Sequence, residues 1–132
     1  MTGSGDETMD QIVCRTTDSQ AILRFRALKG VGDRVVGLLG TREDAEPVAL
    51  CGCSSIHTWG MRYAIDVALV SRNGLVLKSC KNVVPHRLLV APGAYYALER
   101  PSSEEPWPSA GSWIAIANAP SEAVAECVAQ GM

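Results

Sequence analysis

No apolar run in the 132 residues approaches the roughly 20 needed to span a bilayer as a helix. No charge of either sign dominates. Twelve Lys+Arg stand against 14 Asp+Glu, a formal net charge of −2. That balance supplies no general field for a polyanion and argues against broad nucleic-acid binding. The first ten residues have neither a positive n-region nor an apolar h-region, so they do not read as a secretory signal. No internal repeat, nucleophile-elbow serine or paired-carboxylate glycosidase pattern is visible. Gly30-x-Gly32 lacks the third glycine and the Lys-Ser/Thr pattern of a phosphate loop.

What is present is one domain's worth of chain, 47% hydrophobic, long enough to bury an ordinary core. Polar residues 1–18 read as a disordered tail and 19–132 as a single β-rich domain. Five cysteines (Cys14, Cys51, Cys53, Cys80, Cys127) without a signal point to reduced thiols in a cytoplasm. A signal removed upstream of residue 1 would leave the same sequence.

Ala21 to Leu28 alternates Leu23, Phe25 and Ala27 with Arg24 and Arg26, the period of a half-buried strand. Val48–Leu50, Ile65–Ser71, Leu75–Cys80, Leu88–Ala91, Tyr95–Glu99 and Trp113–Ala117 read as further short strands. Asn73-Gly74 between two apolar runs predicts an antiparallel hairpin, because both residues tolerate positive φ. Leu69 and Leu77 are expected in the core. Asp33 can cap a helix through Leu39, and Ser121 a second one carrying Val124, Cys127 and Val128. The fold expected is mainly β: a small sandwich or partly closed barrel of short antiparallel strands, with one or two peripheral helices.

Ser55-Ile56-His57-Thr58-Trp59-Gly60-Met61-Arg62 and Ile65-Asp66-Val67-Ala68-Leu69-Val70, with Asn73-Gly74-Leu75-Val76-Leu77, Pro92-Gly93-Ala94 and Ala97-Leu98-Glu99, form a distinctive set. Together with Arg34 to Gly40 they resemble the domain of unknown function 192 family over most of residues 21–116. The resemblance implies a small β-rich domain and carries no activity with it. Ala64 stands where many members have proline. A longer acidic loop, Ser103 to Pro108, follows Arg100-Pro101-Ser102.

Three constellations could carry chemistry. Cys51-x-Cys53-x3-His57 could ligate zinc, with Cys80 as a fourth ligand, but structural sites favour wider cysteine pairs; no metal, no cofactor and no Cys51–Cys53 disulfide are expected. Cys53 with His57 and Asp66 has the members of an activated thiol and none of its sequence signature; packing roles fit these residues better. His57, Thr58, Trp59, Met61, Arg62 and Asp66 crowd mixed polar chemistry into ten residues, which is expensive to bury unless the groups pair or face a ligand. Arg62 and Asp66 are expected to pair beside His57, with His86 and Arg87 brought close if the sheet curls. The candidate ligand-binding residues are therefore His57, Thr58, Arg62, Asp66 and Arg87. A plainly structural role would instead place Trp59 and Met61 in the core.

Three functional expectations follow. The first is a binding or accessory module holding a small anionic or carbonyl-bearing ligand, or a partner segment, near those residues. The second is a hydrolase-like enzyme using His57 as acid or base. The third is an interaction module pairing through an exposed sheet edge.

Overall fold

The computed structural model describes residues 11–17, 20–28 and 45–119. Nine strands run through them: β1 (Gln11–Thr16), β2 (Ile22–Leu28), β3 (Val48–Cys51), β4 (Ser55–His57), β5 (Ile65–Ser71), β6 (Val76–Val83), β7 (Leu88–Val90), β8 (Ala94–Pro101) and β9 (Ile114–Ala119). Seven form one sheet in the order β6-β5-β8-β3-β2-β1-β9, and β4 pairs with β7 in a separate ribbon. Within the large sheet only β2–β3 is parallel. The sheet curls as a half-barrel. Its two edges touch at one corner, through an antiparallel Leu75–Trp113 bridge and an N–H of Ile114 donating to the Gly74 carbonyl at 2.9 Å.

Strand alternation explains two cores. Val48, Leu50, Ile65, Val67, Leu69 and Ala97 share one face and pack beneath Ile56, Tyr63 and Ala91. Ile12, Cys14, Phe25, Ala49, Ala68, Val70, Leu98 and Ile114 share the other, which the curl closes upon. Leu69 is fully buried, and Leu77 packs half-buried against the first cluster.

The tail expected over residues 1–18 is corrected in its second half, because 11–16 form β1 between β2 and β9. Ile12, Val13 and Cys14 are all buried, and a strand covered on both faces loses the alternation that reveals a half-buried one. Residues 1–10 lie outside the described residues, as do both expected helices. Among the described residues there is no helix, and none long and apolar enough to cross a membrane.

The β5–β6 hairpin forms through Asn73-Gly74. Gly74 N–H donates to the Ser71 carbonyl at 3.1 Å, and Ser71 N–H to the Leu75 carbonyl at 2.8 Å. Of the turn residues Arg72, Asn73 and Gly74, only Gly74 has positive φ, at 105°. This is a type I turn closed by a left-handed glycine, the three-residue hairpin solution. A side chain at Gly74 would collide with the Ile114 carbonyl oxygen, so the glycine also permits the corner where the sheet edges meet.

Candidate functional site

Asp66 lies on β5 opposite Arg100 of β8, and Arg100, not Arg62, is its partner. Arg100 Nε donates to Asp66 Oδ2 at 2.8 Å, with both side chains almost wholly buried. Asn82 N–H donates to Oδ1 at 3.0 Å and Ser103 N–H to Oδ2 at 3.3 Å, while Ser102 Oγ–H lies 3.0 Å from Oδ1. The Asn82 contact comes from a bulge. Ile65 pairs with Val83 and Val67 with Cys80, so Lys81 and Asn82 together face Asp66, and Asn82 takes φ 57°. Burial pushes the Asp66 carboxyl up. The donors from Asn82, Arg100, Ser102 and Ser103 outweigh that burial and hold it below its ordinary value.

Arg100 also donates to the Glu105 and Pro106 carbonyls at 2.6 and 3.0 Å, and its guanidinium lies 4.5 Å from the Trp107 ring centroid. The acidic loop after β8 is thus tied down through its backbone. Its wrapping of a buried ion pair makes this centre a structural tie. The expected Arg62–Asp66 pair does not form: Arg62 leaves the sheet on the preceding turn and is exposed.

Thr58 is fully buried and organises a second centre. Its hydroxyl donates to the Val84 carbonyl at 2.8 Å and accepts the Arg87 N–H at 2.8 Å. Its N–H donates to the Arg87 carbonyl at 2.9 Å, and its carbonyl accepts from Met61 and His86 N–H groups at 3.2 and 3.3 Å. These bonds clamp the 84–87 turn against the 57–61 turn. His86 is held there at φ 72°, unusual for a residue with a side chain.

The clamp displays aromatic rings. Trp59 is 49% exposed, against the core position a structural role would require. It meets His57 edge-to-face at 5.5 Å and His86 at 6.4 Å between ring centroids. His57 Nδ1 accepts the Trp59 backbone N–H at 3.2 Å, and the residue is exposed. Arg62 and Arg87, both exposed, end the same two turns, and Val84, Leu88 and Val90 add exposed apolar surface. Of the five predicted residues, His57, Thr58 and Arg87 come together here, Arg62 lies three residues beyond Trp59, and Asp66 belongs to the other centre.

The cysteine constellation is dispersed. Gly52, at φ 76°, turns the chain so that Cys51 packs in one core while Cys53 packs against the other. Cys53 Sγ lies 3.1 Å from the Ser55 carbonyl, and Cys14, Cys53 and Cys80 are free thiols. No group of three or more metal-ligating side chains gathers among the described residues.

Two features escaped the sequence reading. Glu99 is buried opposite Val48 and Val67, with no hydrogen bond or ion pair among the described residues, and burial pushes its carboxyl up to about 7. No local pattern distinguishes it from an exposed strand glutamate. The second is charge segregation, which was readable: between residues 47 and 98 the only carboxylate is Asp66, which is buried, while Arg62, Arg72, Lys78, Lys81 and Arg87 are all cations. The net charge of −2 conceals this.

No family model matches the chain, and no curated protein does. Two solved structures share its fold. A protein called a "putative transcription regulator" from Sinorhizobium meliloti 1021 superposes with a TM-score of 0.66 at 16% identity, covering 80% of this chain and 91% of that one. A protein of unknown function from Novosphingobium aromaticivorans DSM 12444 superposes with a TM-score of 0.60 at 16% identity, covering 79% and 82%. At these identities the likeness establishes the fold alone.

Proposed function

We propose that this protein is a binding module whose recognition surface is the Trp59 cluster, with Arg62 and Arg87 at its margin, and that it holds an acidic segment of a partner protein. The observation that carries the reading is an exposed tryptophan in fixed contact with two histidines, on a stretch of chain whose single carboxylate is buried. Exposed Trp and Arg are the side chains that dominate protein interfaces. Leu88, Val90 and Val84 give the surface an apolar part, which favours a protein over the more polar backbone of a nucleic acid. The resemblance to the domain of unknown function 192 family fits this small β-rich frame and adds no activity to it.

The hydrolase-like reading of His57 has less support. The Thr58 hydroxyl is committed to Val84 and Arg87, and the Cys53 thiol lies against the Ser55 carbonyl, so neither stands ready as a nucleophile.

Fluorescence anisotropy with a labelled octapeptide of alternating leucine and glutamate tests the reading. Binding should weaken as salt is raised, and Trp59→Ala should reduce affinity at least tenfold. A leucine–lysine octapeptide should not bind. Tighter binding of a single-stranded oligothymidylate would replace the protein partner with a nucleic acid. Binding unaffected by Trp59→Ala would remove this surface from consideration.

A further inference from the structure

The large sheet covers its β6 edge and closes the first residue of its β9 edge. Along β6, the Val76 N–H donates to the Ser112 carbonyl and its own carbonyl accepts the Gly111 N–H, Ser79 Oγ–H donates to the Pro108 carbonyl, and Lys81 Nζ reaches the Ser103 carbonyl. The loop after β8 therefore lies along that edge. At the other side, the start of β9 is joined to the hairpin corner. Covering and closure of this kind prevent unwanted strand pairing.

β7 is different. Its only neighbour among the described strands is β4. Arg87 directs its carbonyl to Thr58, and Ala91 directs its N–H to the Ser54 carbonyl at 3.0 Å. Backbone groups alternate sides along a strand, so Leu89 also faces β4, while the N–H and C=O groups of Leu88 and Val90 face away from it. Two donors and two acceptors thus line an edge that is open among the described residues.

Side chains on the same edge complete the pattern. Leu88 and Val90 are 61% and 43% exposed, and their cross-strand partners His57 and Ser55 share that outer face. Leu89 and Ile56 turn inward to the core. An edge strand presenting leucine and valine to solvent, with neither lysine nor proline among its residues, lacks the usual defences against pairing. The Thr58 clamp holds this ribbon in place from below.

We propose that the partner's acidic segment adds to β7 as a third strand of the β4–β7 ribbon, hydrogen-bonding the outward backbone groups of Leu88 and Val90. This rests on the binding reading above and specifies its mode. The segment would be extended, with apolar side chains beside Leu88 and Val90 and carboxylates toward Arg87 and Arg62. Backbone bonds would supply affinity, and the apolar and basic neighbours would supply selectivity. The absence of free carboxylates from 47–98 gives the charge complementarity that selects an acidic strand over a basic one.

The test uses the full chain and the leucine–glutamate octapeptide. Val90→Pro removes one outward N–H and leaves the bonds to β4 in place; it should weaken binding at least tenfold with an unchanged melting temperature. Independently, octapeptides N-methylated at alternate residues should bind the unmodified protein unequally. One set loses at least tenfold and the other is tolerated, because only one edge of the peptide faces β7. Binding that survives both changes overturns strand addition while leaving the binding surface intact. Failure of the unmodified octapeptide to bind overturns the binding reading itself.

Discussion

Replacing Glu99 by glutamine keeps the shape of the side chain and removes its charge, and the consequence can be worked from the structure. Burial raises the carboxyl from 4.5 to about 7 in the folded protein. Between those values the folded state binds the proton and the unfolded state does not, so stability falls as pH rises. Ionising Glu99 in place costs roughly 3 kcal/mol once pH exceeds the folded value, from the 2.5-unit difference at 1.36 kcal/mol each. Near pH 5 most of that cost is absent, so about 2.5 kcal/mol of it appears between pH 5 and pH 8. Asp66 is shifted the other way and is already fully ionised in this window. Cys14, pushed up to about 12 by burial, does not titrate there. Urea unfolding at pH 5 and pH 8 should therefore show the wild type losing stability and Glu99→Gln losing far less. Equal slopes for the two proteins would mean that Glu99 ionises normally, and the account of a carboxyl raised by desolvation would fail.

Arg100→Ala leaves the Asp66 carboxylate buried without its counterion and should destabilise by about 3–5 kcal/mol, read by chemical denaturation; a loss under about 1 kcal/mol would show the pair to be solvent-screened. Because Asp66 is held below its ordinary value, the stability it contributes should be in place above about pH 4 and lost as pH falls through the folded value, and Asp66→Asn should flatten that acid limb. Gly74→Ala should cost at least about 1–2 kcal/mol from left-handed backbone alone, and more from the collision at Ile114, with hydrogen exchange accelerating at the Ile114 amide; unchanged exchange would mean that the corner opens freely. Leu69→Ala, at a fully buried site, should cost about 2–5 kcal/mol.

Sequence pattern reached the strands that keep one face polar or end in strong turn residues. β2 was legible from Leu23-Arg24-Phe25-Arg26-Ala27, and the β5–β6 hairpin from Asn73-Gly74. β1 was not, because Ile12, Val13 and Cys14 are covered on both faces, and β4 was not, because three residues show no period. The gathering of His57, Thr58 and Arg87 was anticipated. Arg100 as the partner of Asp66 was not, since the match depends on the register between β5 and β8, which no local pattern encodes. The Asn82 bulge has the same cause: its left-handed N–H finds Asp66 only once both strands are paired. Trp59 looked like a core residue by type, but it is half exposed, on the turn whose ends the Thr58 backbone bonds hold together.

The central claim is that recognition occurs on the β7 edge beside Trp59. Amide and indole chemical shifts of the isotope-labelled protein, followed by NMR while the leucine–glutamate octapeptide is added, test it most directly. The account predicts that the largest changes fall on Leu88, Val90, Arg87 and the Trp59 indole, with the Leu88 and Val90 amides becoming protected from exchange. Changes centred instead on Arg24, Arg72 or Lys78, with Leu88 and Val90 unmoved, would contradict it.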